Sequence, residues 1–362
     1  MMKTIDALEE AEARAAARGE RDIDILAERA GSIAHGTAGA KIECGKSSIS
    51  GAVSQRACAY TGARVVLNPI TDAYHIIHGP IGCSSYTWDI RGSLTSGDDL
   101  FRNSFSTDLS NRDIVFGGTD KLTAAVEEVW EKHHPKLIFI YATCIVGIIG
   151  DDVEAVCRKA EEHHPSLRCI PVHSPGFSGG KAFGYRMACD AIMTLLRPHA
   201  DAPKVNGVNI MGDYNLAGEM WIIEDYLKAI GVPVVSTFTG DSSYDSLIKA
   251  PGAKLNVVQC AGSMGYMAKQ MEKEFGIPYI KVSFFGREDT TASIMRIAQL
   301  MGDEATVERA RAFTQAAEAR LIPFEEKYLP ALAGKRAAIF VGGGFKAISL
   351  VRQFKAMGMK PV

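Results

Sequence analysis

LIFIYATCIVGIIGDDVEAVCRKAEEHHPSLRCIPV, residues 137–172, reads as strand, helix, strand. The run 137–141 is apolar on both faces, as a strand covered on either side by helices must be. Residues 151–164 carry a charged helical pattern, and 168–172 is a second strand-like run. Cys144 stands just past the first strand, before Gly147, Gly150 and the acidic pair Asp151 and Asp152. In open α/β sheets ligands bind at strand C-termini, so this cysteine is a candidate site residue.

The same alternation extends both ways. Strand-like runs recur at 63–67, 208–211, 234–238, 255–259, 279–282 and 337–341, and helical patterns at 121–133, 180–196, 216–230, 262–275 and 290–301. Repeated strand–helix units predict an α/β fold of multiple Rossmann-like domains with doubly wound parallel sheets. With 362 residues, the chain exceeds the roughly 250–300 at which one core stops growing. Composition changes place the boundaries. Residues 1–57 form an N-terminal helical arm and irregular segment, and 58–200 and 201–333 form two Rossmann-like domains. Residues 334–362 begin a third, which reads as incomplete because one strand–helix–strand start cannot bury both its faces.

Bulk properties exclude several classes. There are 40 Lys and Arg against 42 Asp and Glu, a net charge of -2, and no basic run to neutralise phosphates, so nucleic acid is not a partner. The longest apolar runs fall well short of the roughly 20 residues of a membrane helix. The N-terminus is charged and Ala-rich, unlike a secretory signal, so a cytoplasmic location is expected. Eight cysteines are too sparse for a disulfide scaffold. As thiols they either pack as small hydrophobes or bind metal.

The second informative stretch is CAYTGARVVLNPITDAYHIIHGPIGCSSYTWDIRG, residues 58–92. Cys58 and Cys83 each have glycine nearby, which lets backbone approach a bulky group and direct N–H donors at its sulfides. With Cys144 they make a candidate metal-cluster site of three thiolates from three separate loops. The other reading is three buried structural thiols. Neither a zinc site nor a bacterial-ferredoxin site is favoured, since no C-x2-C pair occurs among them. His75 and His78, at i and i+3, suggest one helical face with packing or supporting roles. His133-His134 and His163-His164 end charged helices and complement their dipoles.

Cys260 ends the run 255–259 and occupies in the second domain the position Cys144 has in the first. Cys157, Cys169 and Cys189 read as packing residues, and Cys44 is undecided. Cys44-Gly45-Lys46-Ser47 imitates the end of a phosphate-binding loop, but Ala40 stands where its first glycine belongs. Gly342-Gly343-Gly344-Phe345-Lys346-Ala347 is a weak dinucleotide fingerprint. Gly176-Phe177-Ser178-Gly179-Gly180-Lys181 reads as an anion-friendly helix start.

Taken together, HGPIGC ending at Cys83, WDIRG ending at Gly92, FSTDL at 105–109, GDD at 150–152, GDYN at 212–215, Gly240-Asp241 and SFFG at 283–286 resemble the nitrogenase component 1 superfamily from about residue 57 onward. Within it the chain is most similar to the α-type subunit of the cofactor-assembly scaffold. The WDIRG motif, Thr107-Asp108-Leu109 and the turn at 342–346 look more like the scaffold than like the enzyme. Thr61, where the scaffold commonly has Asp, and Ala261-Gly262 beside Cys260 depart from the pattern.

The resemblance implies an α2β2 heterotetramer with a homologous β-type subunit. Cys58, Cys83 and Cys144 would hold a [4Fe-4S] cluster shared with that subunit and fed by the nitrogenase reductase, the iron protein. Cys260 would anchor an iron-sulfur precursor of the iron-molybdenum cofactor, delivered by a cluster synthase. Gly212, Gly240, Gly262, Gly342, Gly343 and Gly344 would leave it room while molybdenum and homocitrate are added. The alternative is a catalytic α-type subunit of a nitrogenase or nitrogenase-like reductase. A cluster-free structural or regulatory relative is a third reading.

Overall fold

The computed structural model describes residues 57–87, 93–339 and 344–362. Cys44, the imitation phosphate loop, the WDIRG motif, Gly342 and Gly343 lie outside these residues, as does the expected N-terminal arm.

In chain order the elements begin with α1 (Ala59–Leu67), β1 (Ala73–His78), α2 (Ile81–Thr87), β2 (Ser104–Ser106), α3 (Asn111–Phe116), α4 (Thr119–His133) and β3 (Leu137–Ala142). Then come α5 (Cys144–Ile149), α6 (Val153–His163), β4 (Arg168–His173), α7 (Lys181–Leu196), β5 (Val205–Asp213), α8 (Glu219–Ala229), β6 (Val234–Thr239) and α9 (Tyr244–Leu247). The remainder is β7 (Ala253–Val258), α10 (Ala261–Phe275), β8 (Tyr279–Lys281), α11 (Arg287–Met301), α12 (Glu304–Leu332), β9 (Arg336–Ala337), α13 (Gly344–Ala356) and β10 (Lys360–Pro361).

The architecture is α/β with parallel sheets. One four-stranded sheet has the order β2-β1-β3-β4 and a second the order β6-β5-β7-β8, and every pairing in them is parallel. Strand periodicity distributes the side chains. Leu137, Phe139 and Tyr141 of β3 point into one core, and Ile138, Ile140 and Ala142 into another. In β5, Val208 and Ile210 face a third core while Met211 turns to the first. That first core is shared: α1 and α7 pack there with residues of both sheets. The second core covers the outer face of the first sheet beneath α4 and α6, and the third lies beneath α8 and α11.

Two elements of the 58–92 stretch differ from expectation. Residues 63–67 belong to a helix, α1, and the two histidines lie on a strand, β1. Every residue of α1 is buried, so its Val65-Val66-Leu67 end lacks the polar face that marks helical period in a sequence. Asn68 keeps helical backbone (φ -58°, ψ -34°) and its N–H still donates to the Arg64 carbonyl, and the helix ends there because Pro69 has no N–H to continue the ladder. On a strand, i and i+3 lie on opposite faces. His75 accordingly meets Tyr141, while His78 meets Thr107 and Asp151.

The contact between α1 and α7 is made by glycines. A Cβ on Gly184 would lie 1.9 Å from the Ala59 carbonyl oxygen, and one on Gly62 would lie 2.1 Å from that of Lys181.

The described residues fall into two compact units, one of 57–284 with Thr290–Ala319, the other of Phe285–Asp289 with Arg320–Val362. In the smaller unit β9 and β10 pair in parallel, with Lys360 opposite Arg336. Among the described residues no helix is long and apolar enough to cross a membrane.

Candidate metal-cluster and cargo sites

Cys58 is the residue immediately before α1, held extended by Ala59, whose N–H donates to the Gly179 carbonyl at 2.9 Å. Cys83 lies in α2, just past the C-terminus of β1, and Cys144 opens α5, just past β3. Because β1 and β3 are neighbours, their two cysteines emerge side by side. The loop after β4 completes the group. A Cβ on Gly176 would lie 3.1 Å from Cys144 Sγ and 3.2 Å from Cys58 Sγ, so both sulfurs border one glycine. The Gly176 N–H donates to Cys144 Sγ at 3.0 Å, and the Thr61 hydroxyl lies 3.4 Å from Cys58 Sγ. Burial pushes the Cys83 thiol pKa up, and the neighbouring Cys144 and Cys58 push it the same way.

All three cysteines are partly exposed. Around them stand Ile81, Tyr86, Ile148 and Phe177, which are 55 to 70% exposed, an apolar rim around a thiol cluster. Among the described residues no three His, Cys, Asp or Glu side chains are placed to hold a single metal ion. The donor set, three soft thiols from separate loops with a backbone N–H aimed at one of them, suits a multi-iron sulfide cluster with further ligands from outside the chain.

Beneath this rim His78 is buried between Thr107 and Asp151. Its Nδ1 lies 3.0 Å from Thr107 Oγ1, and its Nε2 lies 3.0 Å from Asp151 Oδ2. Asp151 also accepts from the Gly118 N–H, at 3.0 and 3.1 Å to its two oxygens. Burial lowers the His78 pKa, and Asp151 only partly opposes it. One carboxylate thus fastens the chain before Cys83 to the segment after Cys144. The sequence carries both residues as motif landmarks, yet nothing in it says that they meet.

The remaining thiols sort by burial. Cys157 and Cys169 face each other in the second core at 3.3 Å, and Cys189 is buried in the first.

Cys260 stands apart from the triad, between β7 and α10, where its backbone is extended and its residue partly exposed. The 15-residue α10 starts at Ala261, and a helix N-terminus favours negative charge. Gly212 makes this geometry possible. Its φ of +91° disfavours any side chain, and a Cβ there would lie 2.7 Å from both Cys260 Cβ and Cys260 N. At Gly240 a Cβ would lie 2.6 Å from Asn215 N. These two glycines permit backbone to pack on backbone. At Gly262, by contrast, a Cβ would meet nothing within 4 Å, so open space does lie beside Cys260.

Residues 58–362 match the family model described as nitrogenase component 1 type oxidoreductase. The chain is 58% identical over 327 residues to the nitrogenase iron-molybdenum cofactor biosynthesis protein NifE of Clostridium pasteurianum, covering 90% of this chain and 72% of that protein. It is 46% identical over 330 residues to NifE of Methanosarcina barkeri, covering 88% and 71%. Among solved structures it is similar to "Nitrogenase Cp1 at pH 5", with a TM-score of 0.82 and 33% identity over 91% of this chain and 68% of that one. The chain therefore belongs to the nitrogenase component 1 type oxidoreductase family.

Proposed function

We propose that the chain is the α-type subunit of a scaffold on which the nitrogenase iron-molybdenum cofactor matures. The observation that carries this reading is the separation of two cysteine sites within one compact unit. Cys58, Cys83 and Cys144 meet at an apolar, partly exposed rim, while Cys260 follows a strand of the other sheet, beside open space. Identity of 58% to a protein named for cofactor biosynthesis, against 33% to a nitrogenase structure, favours assembly over substrate reduction.

Cys58, Cys83 and Cys144 would hold a [4Fe-4S] cluster whose remaining ligand comes from a β-type partner, as the exposed Ile81, Tyr86, Ile148 and Phe177 support. When bound, that group supplies one-electron relay chemistry. The chain's own contribution is the Gly176 N–H directed at Cys144 and the Asp151–His78 contact that fixes the loops. At the second site the Cys260 thiolate would grip one iron of the precursor, its cargo, with Gly262 leaving space beside it. Gly212 would serve by letting Cys260 approach. Molybdenum and homocitrate would be added there before the cargo is passed on. The assembly would be a cytoplasmic α2β2 heterotetramer served by the nitrogenase reductase and a precursor-donating synthase. Residues 58–200 and 201–333 would act as its two site-bearing domains.

Incubating the purified pair with the reductase, ATP, a reductant, molybdate and homocitrate tests the reading. Transfer of matured cofactor to an apo-nitrogenase, without sustained substrate reduction by the pair itself, is the expected outcome. Sustained turnover without transfer would instead identify a catalytic subunit.

A further inference from the structure

Arg64 lies on α1 and is only 2% exposed. Its Nη2 donates to Ser104 Oγ at 2.7 Å, while Nε and Nη1 meet no hydrogen-bond acceptor, so among the described residues no carboxylate pairs with it. A guanidinium does not shed its proton in a protein, and the charge therefore stays. The Tyr141 ring, whose centre is 5.4 Å from the guanidinium carbon, eases this burial without cancelling the charge. Fully buried cations are normally paired, because an uncompensated one is costly. Packing alone gives no reason for it, since an apolar side chain of similar volume would fill the space without that cost.

Contacts lead from this cation to the three-cysteine site. Tyr60 precedes Arg64 by four residues, so the two share a face of α1. Thr87 Oγ1 donates toward the Cys83 and Ser84 carbonyls, each at 3.2 Å, which leaves the Tyr60 O–H to donate to Thr87 at 2.7 Å. Burial raises the Tyr60 pKa; Arg64 opposes that rise and Cys83 adds to it, so the phenol stands within reach of both groups. Cys58 precedes Arg64 by six residues, about 9 Å along the helix axis at 1.5 Å per residue.

We propose that Arg64 sets the electron affinity of the group held by Cys58, Cys83 and Cys144, its uncompensated charge favouring the more reduced state. The inference rests on the cluster reading given above and deepens it. Three thiolates already bring negative charge to the site. One electron from the reductase adds one more unit, and no bond in the chain forms or breaks. A cation fixed in a low-dielectric interior acts there more strongly than it would in water and is little screened by salt. Net charge is one of the levers that set such potentials.

The test is a potentiometric EPR titration of the purified complex of the full chain with its partner subunit. In Arg64→Met the oxidised-to-reduced ratio at a given potential should rise about tenfold, a midpoint lower by about 59 mV. Arg64→Lys should restore most of that shift. Ser104→Asp, which keeps Arg64 and sets a carboxylate beside its Nη2, should also lower the midpoint. The shifts should persist at high salt. A side chain that only packs predicts the opposite sign, since water entering a loosened site favours the more negative state and raises the midpoint. An unchanged or higher midpoint in Arg64→Met, a lysine variant no nearer to wild type, or a wild-type midpoint in Ser104→Asp would overturn the proposal. Should Arg64→Met lose its iron, Ser104→Asp decides, and loss of iron in both would show a structural role and overturn it equally. A wild-type complex without a reduced-state signal from this site would defeat the cluster reading and this proposal with it. A wild-type signal whose midpoint is indifferent to Arg64 would defeat this proposal alone.

Discussion

Cys144 follows β3 and Cys260 follows β7, each where a parallel strand gives way to a helix, yet their surroundings have little in common. Cys144 meets Cys58 beside Gly176, with Cys83 close by, all within an apolar rim. Cys260 has Gly212 behind it and open space at Gly262. One topological position thus supports two chemistries. Neighbouring strands and loops decide which: thiols gathered at a surface suit a permanent group shared with a partner, whereas one thiol beside open space suits a cargo that must leave.

The largest expected effect separates the two sites outright. Cys260→Ala should abolish precursor loading and leave the reduced-state EPR signal of the three-cysteine site, while Cys83→Ala should do the reverse. Equal loss of both signals in both variants would mean that the sites are not independent.

A second substitution probes what the sites share. Gly184→Val forces a branched side chain into the Ala59 carbonyl at the α1–α7 crossing, and overpacking of this kind costs about 3 kcal/mol. Urea unfolding should show that loss, and both EPR signals should fall together, because α1 and α7 pack in the core common to the two sheets. Retention of wild-type stability would contradict the glycine contact.

Acid should act on one sheet more than the other. Burial holds the His75 pKa well below the usual histidine value and lowers that of His78. Both lie on β1, and among the described residues the second sheet has no histidine. Below about pH 6.5 the unfolded chain takes up protons that the folded chain refuses, so stability falls as pH drops, by up to about 1.4 kcal/mol per pH unit for each histidine. Hydrogen exchange between pH 7 and pH 5 should show the first sheet losing protection before the second. His75→Gln should flatten the dependence, and identical loss in both sheets would remove the contrast.

The smallest effect concerns Gly176. An alanine methyl would sit 3.1 to 3.2 Å from two cysteine sulfurs. Gly176→Ala should lower iron at the three-cysteine site and leave Cys260 cargo intact, with thermal stability changed by about 1 kcal/mol or less.

Much of the fold was legible. Runs such as 137–141 and 255–259 are apolar on both faces, and the charged helices between them keep a polar side, so both periods are visible. In the 58–92 stretch burial erases that contrast. A helix covered all round looks like a strand, and a strand with two buried histidines looks like a helix face. The four candidate cysteines could be named from glycine neighbours and strand ends. Gly176 and Asp151 could not be assigned their roles, because each acts on residues 32 or more positions away in the chain.

The sequence by itself determined the alternation of strand and helix, the parallel class of sheet and the identity of the thiols, because periodicity and side-chain chemistry are local properties. Tertiary structure decided which thiols meet at one rim and which lies on the other sheet. It also decided that Gly212 is filled by Cys260 while Gly262 stays open. Those are distances between atoms far apart in the chain, and they are set only once both sheets close on the core that α1 and α7 share.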